Sequence, residues 1–153
     1  MSLLNKASEP LHIAVVIPAY QEERLLPVTL AGIPSIVKSV IIVDDASTDA
    51  TRKRALAYAA EMGEVNLTVQ VLTLPDNAGV GRAICVGYLA AAGLKADVAV
   101  VMGADAQMDP AELIRLVDAL SDEVIYVKGE RMTHPEVRQR MPALRYWGNR
   151  VLS

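Results

Sequence analysis

Apolar positions along the chain come in short unbroken runs separated by longer mixed stretches. The runs "HIAVVIP" (12–18), "SVIIVDD" (39–45), "LTVQVLTL" (67–74), "DVAVVMGA" (97–104) and "EVIYVKG" (123–129) are rich in Val and Ile, and each ends in turn or polar residues. Continuous apolar runs without alternation predict strands covered on both faces, as in a parallel sheet. Between them, helical spacing predicts helices over 24–33, 49–62, 79–94 and 110–120. Strand and helix in alternation predict an α/β layered fold with right-handed crossovers. The last helix has the most complete local signals. Asp109 suits the N-cap, Pro110 the first helical position and Glu112 a capping box, while Leu113, Leu116, Val117 and Leu120 form one apolar stripe.

Composition narrows the partners. The chain has 153 residues, enough for one domain with a sizeable core. It is 52% hydrophobic with no Phe, so Val, Ile, Leu and Ala make that core. A formal charge of −3 argues against a nucleic-acid partner. The single cysteine, Cys85, cannot form an internal disulfide, which fits a reducing, cytoplasmic setting. No apolar run approaches the roughly 20 residues that cross a bilayer. Residues 1–10 read as a tail and 11–129 as the α/β domain. The arginine-rich segment 130–153 reads as a different, incomplete element.

Ligands of open parallel sheets bind beyond the carboxyl ends of the strands. Those ends carry Pro18, Ala19, Tyr20 and Glu22; Asp44, Asp45, Ser47 and Asp49; Asp76, Asn77, Gly79 and Gly81; and Gly103, Asp105, Gln107 and Asp109. "NAGVGRA" lacks the third glycine of a dinucleotide fingerprint and the Gly-Lys-Ser/Thr of a P-loop. Acidic groups at strand ends instead suit Mg²⁺ or Mn²⁺, which prefer oxygen ligands and bridge to diphosphates. Simpler roles stand beside these. Asp109 reads first as a helix cap, Asp49 equally as a cap or a ligand, and Gly79 and Gly81 as a possible tight turn. His12 and His134 have no spacing that suits zinc.

"VVIPAYQEE", "IIVDDASTD", "NAGVGRA" and "GADAQMDP", in this order, resemble the family 2 glycosyltransferases. The nearer likeness is to the branch of polyprenyl- and dolichyl-phosphate mannosyl- and glucosyltransferases, and "VKGERM" (127–132) is similar to a further segment of it. The resemblance implies a Rossmann-like GT-A nucleotide-diphospho-sugar transferase fold, a mostly parallel sheet with helices on both faces. It implies transfer of a hexose from a UDP- or GDP-sugar to a polyprenyl phosphate at a membrane surface, with inversion. By position, Pro18, Ala19, Tyr20, Glu22, Asp44, Asp45 and Gly79 would line the nucleotide pocket. Asp105 would be the catalytic, metal-holding carboxylate of an Asp-x-Asp signature, with Gln107 beside it and Mg²⁺ or Mn²⁺ as cofactor. Lys128 and Arg131 would face the acceptor phosphate.

Two departures accompany the resemblance. Gly103 stands where the signature usually has its first aspartate, and the family's catalytic domains continue past residue 153. The second makes a nucleotide-binding module without turnover an alternative, and it leaves apolar segments through which two copies would pair as a homodimer. A receiver-like signalling domain is another reading, from the acidic pair in "IIVDDAS". That pair normally follows the first strand, and here it follows the second. A nucleotidyltransferase would carry a basic glycine-rich loop where "PAYQEE" is acidic.

Overall fold

The computed structural model describes residues 10–63 and 67–129. Arg131, His134 and the rest of the arginine-rich segment lie outside the described residues. Four strands form one sheet: β1 (Ile13–Ala19), β2 (Val37–Asp44), β3 (Thr68–Thr73) and β4 (Val98–Val101). Their order is β3-β2-β1-β4, and all three pairings are parallel. The connections are α1 (Leu26–Ala31), α2 (Thr51–Met62) and α3 (Val80–Gly93), and α4 (Ala111–Asp118) follows β4. This is the expected α/β, Rossmann-like architecture.

Period-two alternation sends the residues of each central strand to two separate cores. Ile13, Val15 and Ile17 of β1 and Val40 and Ile42 of β2 pack on one face with Leu26 and Leu30 of α1, Ala55 of α2 and Leu113 of α4. Ala14 and Val16, with Ile41 and Val43, pack on the other face with Ala83 and Ala91 of α3. Both faces being covered, the buried polar residues of β1 and β2 are Ser39 and Asp44 alone, and Lys38 is exposed. Ser39 is held by His12, whose Nε2 lies 2.8 Å from the Ser39 hydroxyl. The His12 amide also donates to Asp97 at 2.8 Å, so His12 ties the sheet's opposite edge.

Helix α3 lies close on the sheet because Gly87 faces Val16. A methyl group at residue 87 would overlap the Val16 side chain. The outer side of the same helix carries the exposed Cys85, Tyr88 and Leu89.

The predicted fifth strand is absent. Residues 124–129 follow α4 without strand pairing, and Ile125 and Tyr126 are 83% and 73% exposed. A β-branched run becomes a strand only where a neighbouring strand accepts its amides, and none lies beside it among the described residues. Strand β4 is also shorter than its apolar run, ending opposite Val16 in mid-β1. Helix α4 starts one residue later than expected, with Pro110 at the N-cap and no side-chain cap bond there, and Asp109 just before it accepts the Ala111 amide at 2.9 Å. No capping box forms, because the Glu112 carboxylate pairs with Arg115 at 2.9 Å. Among the described residues, no helix is long and apolar enough to cross a membrane.

Candidate functional site

A parallel sheet delivers all its strand ends to one edge. Here Ala19 sits opposite Asp44, and Asp44 opposite Thr73. The loops beyond β1 and β2 are joined directly. Gln21 donates its backbone amide to Ser47 Oγ at 3.1 Å and its side-chain amide to Thr48 Oγ1 at 2.7 Å. The Glu22 amide donates to Thr51 Oγ1 at 2.8 Å. Glu23 and Asp49 exchange contacts: the Glu23 amide reaches Asp49 Oδ2 at 3.2 Å, and the Ala50 amide reaches Glu23 Oε2 at 2.9 Å. Gln21 and Ala46 are held at φ 57° and 58°, left-handed values uncommon for residues with a side chain.

Asp44 and Asp45, read from the sequence as one acidic pair, have different surroundings. Asp45 is 3% exposed and turned toward the loop after β3. Its two oxygens accept the amides of Ala78 at 2.9 Å and Gly79 at 2.8 Å. Those amides open α3, where Gly79 adopts φ 85°. A carboxylate on a helix N-terminus is a favourable charge–dipole arrangement. The glycine-rich turn therefore has an anion from within the chain already bound to it. Asp44 is 1% exposed. Its Oδ1 accepts the Ser47 amide at 3.1 Å, and its buried Oδ2 has no hydrogen-bond partner among the described residues.

The tip of β4 is built differently. The Asp105 Oδ1 accepts the Gln107 amide at 3.2 Å, and the Ala106 amide is anchored on Thr29 Oγ1 of α1 at 3.1 Å. Ala106 is at φ 53°. Gly103 donates to the sulfur of Met108 at 3.2 Å. Asp105 faces Glu22: partial burial, followed by the negative charges of Asp105 and Asp49, pushes the Glu22 carboxyl above its ordinary pKa. Asp49 goes the other way. Burial pushes it up, but hydrogen bonds from the Thr51 hydroxyl and the amides of Thr51 and Glu23 outweigh that and hold it below the usual carboxylate range.

The charges of Asp49 and Asp105 thus both act on Glu22, beside a shallow depression lined by Gln21, Glu22, Glu23, Arg24, Leu25 and Asp49. Pro18 and Ala19 end β1, and Tyr20 is exposed beyond them. Lys128 is exposed in the segment after α4, and no hydrogen bond or ion pair among the described residues joins it to the strand tips. Arg131 lies outside the described residues. Thr29 and Thr51, both buried, had no distinguishing signal in the sequence, since their task is to hold backbone amides of distant loops.

Among the described residues, no three carboxylate, His or Cys groups stand close enough to cage a metal ion. The donor set still fits a divalent cation of the substrate-bridged kind. Mg²⁺ is commonly held by one or two carboxylates together with substrate phosphates, and Asp105 accepts an amide of its own turn through Oδ1.

Comparison with known proteins places this edge in a family. Residues 14–151 match Glycosyl transferase family 2. The chain belongs to that family. It is 31% identical over 151 residues to UDP-N-acetylglucosamine--dolichyl-phosphate N-acetylglucosaminyltransferase of Methanococcus voltae, covering 92% of this chain and 60% of that one. To Dolichyl-phosphate beta-glucosyltransferase of Drosophila melanogaster it is 39% identical over 97 residues, 56% of this chain and 29% of the relative. To Undecaprenyl-phosphate mannosyltransferase of Micrococcus luteus it is 32% identical over 124 residues, 80% of this chain and 49% of the relative. The chain matches at most 60% of the length of these relatives. Among solved structures, a mannosyltransferase from Pyrobaculum calidifontis, in complex with GDP-Man and Mn²⁺, superposes with a TM-score of 0.59 at 22% identity. That match covers 72% of this chain and 32% of the other, and it supports the GT-A type of fold.

Proposed function

We propose that residues 11–129 are the nucleotide-sugar-binding part of a glycosyltransferase that moves a hexose from a UDP- or GDP-sugar to a polyprenyl phosphate, with inversion. The observation that carries this reading is the acidic edge. There Glu22, beyond β1, has its pKa raised by partial burial and then by the negative charges of Asp105, beyond β4, and Asp49, in a chain of family 2. The three polyprenyl-phosphate glycosyltransferases it resembles support the acceptor class, and the neighbour's GDP-Man and Mn²⁺ support the donor class and the cation.

Asp105 and Gln107 would hold Mg²⁺ or Mn²⁺ at the tip of β4. A divalent cation there supplies charge neutralisation for the departing nucleotide diphosphate. The remaining steps belong to the chain. Tyr20, exposed beside Glu22, offers a ring face to the nucleotide. Asp45 keeps the β3–α3 loop in place through two amides, which fixes one wall of the pocket beside Pro18 and Ala19. Asp44 does the same for the turn at Ser47. An acceptor phosphate is ionised near neutral pH, with a second pKa of about 6, so no strong general base is required behind the anomeric carbon. Lys128, with Arg131, would orient that phosphate by charge-assisted hydrogen bonds.

The test is calorimetric titration of the protein with UDP and with GDP, each with and without Mn²⁺. Metal-dependent binding of one of them supports the reading, and its loss in Asp105→Ala assigns the β4 tip. Absence of binding to both nucleotides in every condition overturns it.

A further inference from the structure

The described sheet has two outer edges, β3 and β4, and they offer different amounts of backbone. The Leu74 amide donates to the Asp44 carbonyl at 2.9 Å, and alternation along β3 then turns Gln70 and Leu72 toward β2. Val69, Val71 and Thr73 therefore point N–H and C=O away from the sheet. Among the described residues, none of these groups has a hydrogen-bond partner. At the other edge the Met102 amide donates to the Val16 carbonyl at 3.0 Å, which leaves only Ala99 and Val101 of β4 facing outward. Natural edges are ordinarily blunted by lysine, proline or a bulge. The β3 sequence TVQVLT has no charge and no proline, and its pairing with β2 runs without a shift.

Helix α2 lies over this edge. It packs on β3 and β2 through the buried Thr51 and Ala55, with α1 beside it on the β1 side. Given right-handed crossovers, the sense of the helix turns Leu56 and Ala59 to the side away from α1, above the β3 edge. Arg52 shares that side at the helix's first turn. Leu56, at mid-helix, is 49% exposed.

We infer that the β3 edge is an interface for a second copy of this chain, whose own β3 adds antiparallel about a two-fold axis at Val71. A two-fold interface must be complementary to itself. This edge meets that demand: with Val71 opposite Val71 of the other copy, Val69 falls opposite Thr73, and every outward N–H finds a C=O. No charged side chain of the strand meets its own copy. The same axis brings the two α2 helices side by side over the joined strands, where Leu56 loses its exposure. A lone extended peptide from another protein would satisfy the amides and leave Leu56 uncovered, so a second copy fits more of the surface.

The experiment is sedimentation of the wild-type chain, Val71→Pro, Thr73→Lys and Leu56→Glu across micromolar concentrations, with circular dichroism to confirm folding. The wild-type mass is expected to rise from one chain to two. Val71→Pro removes an outward amide that β2 does not use, so it is expected to fold and to stay monomeric where the wild type dimerises. Thr73 and Leu56 are exposed, so their variants keep the test intact if Val71→Pro does not fold. Thr73→Lys sets an ammonium beside Val69 on each side of the axis and is expected to weaken the dimer about ten-fold. Leu56→Glu is expected to weaken it as well, by setting two like charges near the axis. A wild-type chain that stays monomeric at every concentration overturns the inference, whatever extended segment then takes the edge. So does a dimer of wild-type strength in Thr73→Lys, including one that only Leu56→Glu weakens, since the strands would then not be its seam.

Discussion

The loops beyond β1 and β2 and the loop beyond β4 stand at the same edge of one sheet and use aspartate in opposite ways. Between β1 and β2, Asp49 accepts two backbone amides and Asp45 two more from the β3–α3 turn, while Thr51 and Ser47 take those of Glu22 and Gln21. At β4, Asp105 accepts one amide from its own turn and otherwise stands against another acid. A carboxylate with its oxygens filled by buried amides is part of the fold. One that repels its neighbour is a charge that a ligand can relieve. On the proposed reading, this difference separates the acids that hold the fold from the one that meets a ligand, where residue type cannot.

Exchanging alanine for one acid on each side is expected to give the largest contrast. Asp45→Ala leaves two amides at the start of α3 without their charged acceptor in a buried place. With about 1.5–3 kcal/mol for each hydrogen bond to a charged group, the loss of two is roughly 3–6 kcal/mol. For a domain of this size that lowers the thermal midpoint by on the order of 10 °C. Asp105→Ala should leave the midpoint within about 2 °C while abolishing Mn²⁺-dependent nucleotide binding. Equal midpoints for the two variants would erase the distinction between the two regions.

Thr51→Val tests the junction itself at nearly constant volume. Thr51 is fully buried, and its hydroxyl is the acceptor for the Glu22 amide. Without it the amide is left in a polar but crowded place, at a cost of about 1–2 kcal/mol. Denaturant unfolding at unchanged slope would measure that cost, and nucleotide affinity should fall with it because Glu22 loses its anchor. A stability loss with unchanged affinity would confine Thr51 to the fold.

These contrasts also show where sequence reading reached its limit. The four strands, four helices and the edge that gathers polar groups follow from apolar runs and period, because burial on both faces of β1 and β2 leaves a local signal. The fifth run, 123–129, has the same local signal and no strand, because a strand is completed by a partner that composition does not reveal. The roles of Asp44 and Asp45 were equally hidden. Adjacent in sequence, they point to opposite sides, and the amides that satisfy Asp45 lie 33 and 34 residues away. The bond from the Ala111 amide to Asp109 was legible because the two lie two residues apart, within the reach of local turn chemistry, whereas the role expected of Asp105 came from the family resemblance.

A smaller effect comes from Ala46, where the β2 loop carries a left-handed φ of 58°. That conformation costs a residue with a side chain about 1–2 kcal/mol, and glycine would give back roughly 0.5–1 kcal/mol through added freedom in the unfolded chain. Ala46→Gly is therefore expected to stabilise by less than about 1 kcal/mol. Destabilisation would mean that the Ala46 methyl group makes contacts that matter more than its backbone strain.

The finest discrimination between the two regions is in how two neighbouring acids titrate. Glu22, raised by partial burial and by the charges of Asp105 and Asp49, keeps its proton more firmly in the folded chain than in the unfolded one. Its contribution to stability is fully present below its unfolded pKa and is lost as pH rises through the folded value. Asp49 is pushed up by burial but held lower on balance by its hydrogen bonds. It contributes stability above its unfolded pKa that is lost as pH falls through the folded value. Glu22→Gln should therefore stabilise slightly near neutral pH and have no effect in acid. Asp49→Asn should destabilise near neutral pH, by an amount that shrinks as pH falls. Carboxyl NMR titration would place Glu22 above Asp49, and Mg²⁺ with the bound nucleotide should draw Glu22 down while leaving Asp49 where it is. If both moved together, the charge at β4 and the acid inside the β1–β2 junction would be one coupled cluster, and the line drawn here between them would be in the wrong place.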